Sequence, residues 1–257
     1  MIPLDLNSTS IINLLGFAFV LVFFGLMIIL AAAGRRRPER YLRDIPAFAR
    51  LGRAIGLAVE AGQRLHLSLG RGGIDGLQAG SAFVGLSMLQ RISRAASISD
   101  RPPIATSGEG TLGILSQDTL RSVARSIGGE AQYDSTTGQV TGLTPFSYAA
   151  GTMPVIFDQN VSASVLAGHF GSEVALITDA SERCGSLTLA GTDSIPGQAV
   201  MVATAQEPLI GEELYAAGAY INAGQMHIAS LRAQDILRWV LILAILVGAG
   251  LKFIGVL

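Results

Sequence analysis

Two short Gly-rich loops contain the residues of this sequence that are best suited to bind a ligand. Each loop follows a predicted strand and precedes a predicted helix. The candidate ligand-binding residues are Gly70, Arg71, Gly72, Gly73, Ser107, Gly108, Gly110 and Thr111. In a loop of this kind, backbone N–H groups and the positive end of the helix dipole can face a phosphate. The pattern therefore predicts a site for a nucleotide or another anionic small molecule.

The second loop also argues against a phosphate site. Gly108, Gly110 and Gly113 match the spacing G-x-G-x-x-G of dinucleotide-binding loops, but a single match means little in a chain with 31 glycines. Glu109 lies inside the loop, where its carboxylate would repel a phosphate. No acidic residue about 20 positions later can be assigned to a ribose. The alternative interpretation is that these glycines only permit tight turns.

No set of residues in the sequence predicts catalysis or a metal site. His66, His169 and His227 are not spaced as metal ligands, and Cys184 is the only cysteine. Cys184 or Ser107 could act as a nucleophile only with a base beside it, and none can be assigned. We therefore expect no catalytic residue, metal or cofactor. A non-enzymatic protein fits the sequence better than an enzyme.

Alternating strands and helices predict the fold that holds these loops. Apolar strands followed by helices indicate an α/β domain with a mostly parallel sheet flanked by helices. A pair of strands around Glu173 indicates an antiparallel component. Strands are predicted at residues 65–69, 103–106, 161–167, 173–178, 186–189 and 198–204, and helices at residues 44–62, 77–97, 112–127, 144–152, 207–220 and 221–236. Four of the strands would lead into loops or helix starts at residues 69–70, 106–107, 178–179 and 204–205.

Two apolar segments predict terminal helices that cross a membrane. Residues 11–33 contain no charged residue and, as a helix, span roughly 34 Å, which is enough for the hydrocarbon core of a bilayer. A second apolar run, residues 240–257, is interrupted only by Lys252. The first segment is not expected to be a cleaved signal peptide, because Asp5 is the only charged residue before it.

Basic residues beside the apolar segments predict the orientation of the chain. The residues that carry this prediction are Arg35, Arg36, Arg37, Arg40, Arg43, Arg232, Arg238 and the interfacial Trp239. Cytoplasmic flanks of membrane helices are enriched in arginine. The pattern therefore places both termini outside and the main domain in the cytoplasm of a two-pass cell-membrane protein.

These predictions divide the chain into six consecutive segments. They are a short outer N-terminus (1–10), a membrane helix (11–33), a basic juxtamembrane segment and helix (34–62), a cytoplasmic α/β domain (63–222), a connecting helix (223–238) and a second membrane helix (239–257).

The uneven distribution of charge bears on the partners. Residues 35–101 carry twelve arginines and five acids, whereas residues 102–231 carry three arginines and twelve acids. Membrane topology explains where the basic residues cluster, so nucleic-acid binding is not expected and the lipid bilayer is the expected partner. Ala244 and Gly248 form a small-xxx-small pair, which favours packing against the first membrane helix or against another copy. We expect a homo-oligomer or a complex with another membrane protein.

Two stretches resemble an uncharacterised family of bacterial membrane proteins: GTLGILSQD at residues 110–118 and HIASLRAQDILRW at residues 227–239. The resemblance implies a membrane-anchored soluble domain of unknown function and identifies no site residue. From the residues themselves, we expect a non-enzymatic protein that acts in assembly or scaffolding. The alternative is a membrane-tethered sensor that binds a nucleotide or other anionic metabolite at the Gly-rich loops.

Overall fold

The computed structural model describes residues 6–34, 42–130, 133–221 and 224–253. The chain divides into two compact units. The terminal unit comprises Met1–Arg43 and Gly224–Leu257, and the central domain comprises Asp44–Ala223.

Two long apolar helices form the terminal unit. They are α1 (Leu6–Gly34) and α9 (Gln225–Phe253), and they pack against each other. Their most apolar stretches reach mean hydropathies of 2.9 and 2.1, and neither stretch is buried within the protein. By length and composition, both helices can therefore cross a membrane. The predicted connecting helix and second membrane helix form one continuous helix as far as Phe253.

Gly248 and Gly250 of α9 do not contact α1 closely, although the two helices pack against each other. A Cβ added at Gly248 or Gly250 would have no described atom within 4 Å. The close approach that Gly248 favours is therefore not made within this unit. Packing of these glycines against another copy of the chain stays a prediction.

Six parallel strands form the sheet in the described part of the central domain. In chain order they are β1 (Arg64–Gly70), β2 (Ile104–Ser107), β3 (Gly138–Val140), β4 (Val161–His169), β5 (Leu187–Thr192) and β6 (Glu207–Leu209). Their spatial order is β3-β2-β1-β4-β5-β6. The sheet starts at β1 near its centre and extends through β2 to the edge strand β3. The chain then returns to the centre at β4 and extends through β5 to the other edge strand, β6. This is the strand order of the doubly wound dinucleotide-binding fold.

Helices cover both faces of the sheet, which confirms the predicted α/β class. One face carries α2 (Pro46–Glu60), α3 (Ala79–Ala95), α4 (Gly110–Ser126) and α8 (Glu213–Tyr220), and the other carries α5 (Pro145–Asp158), α6 (Val174–Arg183) and α7 (Ile195–Thr204). Right-handed crossovers explain this division, because the two halves of the sheet grow in opposite directions from the centre.

The two faces of the sheet bury different side chains. Beneath α3, Leu65, Leu67 and Leu69 of β1 join an apolar cluster. The alternate residues of the same strand, His66 and Ser68, are fully buried on the other face. A strand that is covered by helices on both sides is buried along its whole length, so its apolar pattern does not simply alternate with exposed polar residues.

Three predicted elements are wrong. Residues 173–178 and 198–204, predicted as strands, belong to helices α6 and α7. Residues 207–220, predicted as one helix, begin with the edge strand β6, and helix α8 starts only at Glu213. Short apolar runs fit a buried strand and a buried helix equally well, and a proline is tolerated in an edge strand. The sheet is therefore all parallel, and the predicted antiparallel component is wrong.

The edge strand β3 has no counterpart among the predicted strands. It contains only three residues and lies within a polar stretch of the sequence. Its residues pair with β2, and Gly138 packs against Gln117 of α4. A short edge strand of this kind gives no apolar pattern from which it could be predicted.

Candidate functional site

The carboxyl edge of the sheet is where this type of fold binds ligands. Ligands lie outside the carboxyl ends of the strands, at the point where the strand order reverses. Here that point lies between the neighbouring strands β1 and β4. The polar side chains at this edge form what we call the switch-point cluster: Arg71, Gln78, Ser81, Glu109, His169, Glu173 and Asp193.

The two predicted Gly-rich loops come together at this edge. The backbone N–H of Gly108 donates to the carbonyl of Gly70 at 2.8 Å. The side chain of Arg71 lies directly on Gly108, since a Cβ at position 108 would be 2.3 Å from the Arg71 Cγ. A larger residue at position 108 would therefore separate the two loops.

Gly70 joins the ends of β1 and β4. Its φ is +72°, and a Cβ there would lie 2.4 Å from the carbonyl oxygen of His169. The N–H of Arg71 donates to the same carbonyl at 2.9 Å. Gly72 is also close, because its Cβ would lie 2.9 Å from the Cβ of His169. The two strand ends are thus in direct backbone contact.

Ser107 and Gly73 face groups of the chain itself. Ser107 is fully buried, and its hydroxyl lies 3.2 Å from the carbonyl of Glu109 and 3.3 Å from that of Gln139. A Cβ at Gly73 would be 2.9 Å from Oδ1 of Asp75 in the same loop. The Ser107 hydroxyl therefore has partners within the chain, and the Asp75 carboxylate lies close to Gly73.

A carboxylate from its own loop caps the N-terminus of α4. Glu109 is the N-cap residue, and its Oε2 accepts the N–H of Leu112 at 2.8 Å. Burial acts to raise the pKa of Glu109, but hydrogen bonds from Thr111 and Leu112 outweigh it and hold that pKa below its ordinary value. Gly110 and Thr111 are the exposed first residues of a helix whose N-terminus already faces this carboxylate.

A carboxylate of the chain also binds the side chain of Arg71. Its Nε donates to Oε1 of Glu173 at 3.1 Å, and the N–H of Gly171 donates to the same oxygen at 3.0 Å. Glu173 is the N-cap residue of α6, and its side chain is only 3% exposed. Burial acts to raise the pKa of Glu173, but the hydrogen bonds from the backbone and from Arg71 outweigh it and lower that pKa.

A histidine and an aspartate form the third pair of the cluster. Nδ1 of His169 lies 2.6 Å from Oδ1 of Asp193, and Nε2 lies 3.2 Å from Nε2 of Gln78. Because a carboxylate only accepts, Nδ1 carries the proton in the neutral ring, and Nε2 then accepts from the Gln78 amide. Ser81 donates to the other oxygen of Asp193 at 2.9 Å. The ring is oriented as in a general base, but an amide of the same chain occupies its free nitrogen.

The cluster does not contain the other parts of a nucleophilic site. Among the residues that the structure describes, neither Ser107 nor Cys184 is bonded to a histidine. Cys184 follows α6 at the opposite edge of the sheet, with its Sγ 3.9 Å from the carbonyl of Ile156. In the same described ranges, no group of three His, Cys, Asp or Glu residues could hold a metal ion.

Tyr148 holds the end of β1, next to the switch-point cluster. It is fully buried in α5, and its hydroxyl is bonded to Ser68 and to the backbone N–H of Gly70, which donates to it at 3.2 Å. Burial raises the pKa of Tyr148, so the phenol stays protonated. This contact fixes the end of β1 and hence the start of the first Gly-rich loop.

Sequence reasoning does not select Gln78, Ser81, Glu173 or Asp193. Glu173 is assigned to a predicted strand, and the strand before Asp193 is predicted to end at residue 189, whereas β5 continues to residue 192. Their position after a strand could have identified two of these residues from the sequence, because Glu173 and Asp193 both lie within four residues after a strand.

The chain matches a protein family over both terminal helices and the central domain. A family described as "Domain of unknown function (DUF6754)" matches residues 7–257. The chain belongs to the DUF6754 family. No curated protein and no solved structure matches it. The predicted membership of an uncharacterised family is thus confirmed, and the DUF6754 match assigns no residue a role.

Only part of the predicted topology signal can be placed in this DUF6754 chain. Arg35, Arg36, Arg37 and Arg40 lie outside the described residues. Arg43 precedes α2. Arg232, Arg238 and Trp239 all lie within α9, where Trp239 is exposed and Arg238 lies 3.8 Å from Asp235.

Proposed function

We propose that this chain is a membrane-anchored, non-enzymatic protein whose α/β domain lies in the cytoplasm and acts in assembly or scaffolding. The observation that carries the proposal is the internal pairing of the switch-point cluster. A doubly wound domain offers helix N-termini and basic groups to a nucleotide at this edge. Here Glu109 and Glu173 already face those groups. Such a domain keeps the fold without an open phosphate site.

Two further features support a function at the membrane. The family match runs through both apolar helices and the domain between them, so the family combines them in one unit. Arg43 follows the first helix, and Arg232 and Arg238 precede the apolar part of the second. By the positive-inside rule, these arginines favour a cytoplasmic domain with both termini outside.

The single exposed cysteine allows a direct test of this orientation. Cys184 lies in the central domain and is the only thiol in the chain. We expect a membrane-impermeant maleimide to label it in inverted membrane vesicles and not in intact cells. Because burial raises the pKa of this thiol, labelling should be done above neutral pH.

A matched pair of variants completes the topology test. In a Cys184→Ser background, Ser8→Cys moves the only thiol to the predicted outer N-terminus, and labelling should then occur in intact cells. Labelling of wild-type Cys184 in intact cells, together with a protected residue 8, would reverse the proposed orientation.

Assembly is tested by the mass of the full-length chain in lipid nanodiscs or mild detergent. We expect an oligomer. Gly248→Val should weaken it, because a Cβ added there has no described atom of its own chain within 4 Å and extends towards lipid or a neighbour. Gly16→Val in α1 also adds to open space and is the matched control. A strictly monomeric chain would contradict the assembly proposal.

The second candidate function is a membrane-tethered sensor of an anionic metabolite. The contact between the two Gly-rich loops, from the Gly108 N–H to the Gly70 carbonyl, favours it. A phosphate at this position would have to replace the carboxylate of Glu109 at the N-terminus of α4. Binding would therefore require the Glu109 side chain to swing away.

Inorganic pyrophosphate and ATP are suitable probes for this candidate. In the sensor case, either anion should raise the melting temperature of the full-length chain. Glu109→Gln should increase that rise, since it removes the competing charge and keeps an oxygen that can accept the Leu112 N–H. Absence of any shift in both the wild type and Glu109→Gln would exclude the sensor and leave the scaffold proposal intact.

A further inference from the structure

Exposed apolar side chains lie on both sides of the switch-point cluster at the carboxyl edge of the sheet. They belong to the connections that leave the strands or to the first helical turn after them. Leu77 follows β1, Leu143 and Phe146 follow β3, Ile195 follows β5, and Ile210 follows β6. Each of the five is at least 55% exposed. Single exposed apolar residues are common, whereas a group of them on one surface is typical of an interaction site.

The connections that carry these residues lie side by side, because all six strands are parallel. Neighbouring strands are about 4.8 Å apart, so the edge from β3 to β6 is about 24 Å long. Hydrogen bonds join neighbouring connections. After β3, the N–H of Thr141 donates to the carbonyl of Ser107 at 3.1 Å, and after β6, the N–H of Gly211 donates to the side chain of Gln198 at 3.3 Å. The exposed apolar residues are therefore parts of one surface.

The charge of this surface is negative. The six connections and the first residue of α8 contain six acids and one arginine. The arginine, Arg71, is already paired with one of the acids. The acids are Asp75, Glu109, Glu173, Asp193, Glu212 and Glu213. Such a surface repels the phosphates of lipids and nucleic acids and attracts positively charged side chains.

An exposed aromatic ring lies near one of these acids. Tyr215 of α8 is 44% exposed, and it packs on Gly80 of α3, where an added Cβ would lie 3.2 Å from the Tyr215 Cε1. Burial raises the pKa of Tyr215, and the nearby negative charge of Asp193 raises it further. An arginine or lysine of a partner can therefore stack on this ring within the field of the Asp193 carboxylate.

We propose that the carboxyl edge is the docking surface for a basic, amphipathic segment of a partner protein. The arginines or lysines of this segment face the acids, and its apolar side chains cover the exposed apolar residues. A helix of 16 residues is about 24 Å long, which matches the edge. A second copy of the chain does not fit in a symmetric contact, because it brings the same acids to the same surface. The inference rests on the proposed scaffold function and names the class of its partner.

The test uses the full-length chain in nanodiscs of phosphatidylcholine, which carries no net charge, and a fluorescent peptide with four repeats of Leu-Arg-Arg-Leu. Fluorescence anisotropy should show saturable binding beyond that to empty nanodiscs. Leu77→Ser combined with Ile195→Ser should weaken the affinity at least about ten-fold, because both side chains lose apolar contact with the peptide. Asp75→Lys should weaken it about five-fold, and this loss should shrink at high salt.

Matched controls make the same changes at the opposite edge. Ile98→Ser and Asp100→Lys alter exposed residues of the loop before β2 and should bind the peptide as the wild type does. A peptide with four repeats of Leu-Glu-Glu-Leu should not bind, and circular dichroism checks that each variant is folded. Equal affinities of the wild type and the folded carboxyl-edge variants, or no saturable binding to the wild type, would overturn the docking proposal and leave an oligomer of the chain unaffected. If the carboxyl-edge variants instead dissociate that oligomer, the surface is a contact between copies, and the partner segment is excluded.

Discussion

The carboxyl and amino edges of the sheet use their polar groups in opposite ways. At the carboxyl edge, Arg71, His169 and Glu109 are all bonded to groups of the same chain. At the amino edge, a large cavity has an apolar inner wall, and Ser93 in that wall has no partner in the described structure. At the edge where this fold type normally binds ligands, these three side chains therefore already have partners within the chain, whereas the opposite edge has unused space.

This difference shows that strand order alone does not determine function. The order β3-β2-β1-β4-β5-β6 places helix N-termini at the carboxyl edge in any protein that adopts it. Whether an anion can bind there depends on the residues that cap those helices. In this chain the Glu109 carboxylate caps α4, and the Glu173 carboxylate at the start of α6 accepts hydrogen bonds from Arg71 and from the Gly171 N–H.

The largest expected effect comes from breaking the backbone contact at the carboxyl edge. Gly70→Ala places a Cβ 2.4 Å from the His169 carbonyl oxygen at a residue with φ of +72°. We expect the free energy of unfolding to fall by more than about 3 kcal/mol. Urea unfolding of the full-length chain in mild detergent, followed by circular dichroism, measures this.

Gly62 provides the matched control for Gly70. Its φ is +63°, but a Cβ there would have no described atom within 4 Å. Gly62→Ala therefore adds only the backbone strain and should cost about 1 kcal/mol. Similar losses for the two variants would show that the contact between the ends of β1 and β4 contributes little.

The next largest effect is a pH dependence of the free energy of unfolding. It arises from His66, which lies in the middle of β1 between the two edges. Burial lowers the pKa of His66 from 6.5 to about 3. Between these values the folded chain binds fewer protons than the unfolded chain, so stability falls as the pH decreases. From pH 6.5 to pH 4.5, the expected fall is about 2.3 kcal/mol. His66→Gln should flatten this part of the profile; an unchanged slope would assign it to other groups.

The third prediction concerns the partly buried pair of Arg71 and Glu173. Glu173→Gln removes the charge but keeps an acceptor for the Gly171 N–H, so at pH 7 we expect a loss of about 2 kcal/mol. Because the pKa of Glu173 is lowered, its stabilisation is fully present above about pH 4.5 and is lost as the pH falls through the lower folded value. The difference between wild type and variant should therefore disappear in acid.

Glu109→Gln is the control for this pair. Glu109 is less buried and caps a helix that is otherwise exposed at its start, so its replacement should cost less than that of Glu173. Equal losses, or a Glu173→Gln difference that persists in acid, would show that the carboxylates of the carboxyl edge do not act through their charge.

The elements that could be predicted have a long hydrophobic pattern, or one whose ends are marked by glycine or serine. The strand 65–69 and the helices that follow both Gly-rich loops are confirmed within a few residues, because each strand ends in glycine or serine before a helical repeat. The same reasoning gave a wrong prediction for residues 198–204, which were predicted as a strand. Ala199, Val200 and Met201 are apolar throughout, and nothing local distinguishes helix α7 from a buried strand.

The candidate site was less accessible to prediction, because its pairs connect distant parts of the chain. Arg71 and Glu173 are 102 residues apart, and Gln78 and His169 are 91 residues apart. Such pairs follow from the strand order, which a single sequence does not reveal. Glu109 is the exception, since it lies within its own Gly-rich loop and its position already argued against a phosphate there.

The smallest effect compares two serines of the same helix. Ser81, at the start of α3, has its hydroxyl oxygen 2.9 Å from both the Gln78 carbonyl and the Asp193 carboxylate, and its single proton is donated to one of them. Ser93, near the end of α3, has no described partner. Ser81→Ala should therefore destabilise the unliganded chain by about 1 kcal/mol, and Ser93→Ala should stabilise it by up to about 1 kcal/mol. Both are measured by urea unfolding.

The opposite signs are the informative part of this result, because the two variants delete the same atom from one helix, where Ser81 has partners for that atom and Ser93 has none among the described residues. A loss of stability at Ser93 equal to that at Ser81 would mean that the Ser93 hydroxyl is already bonded, and the contrast between a saturated carboxyl edge and an unsatisfied amino edge would not hold.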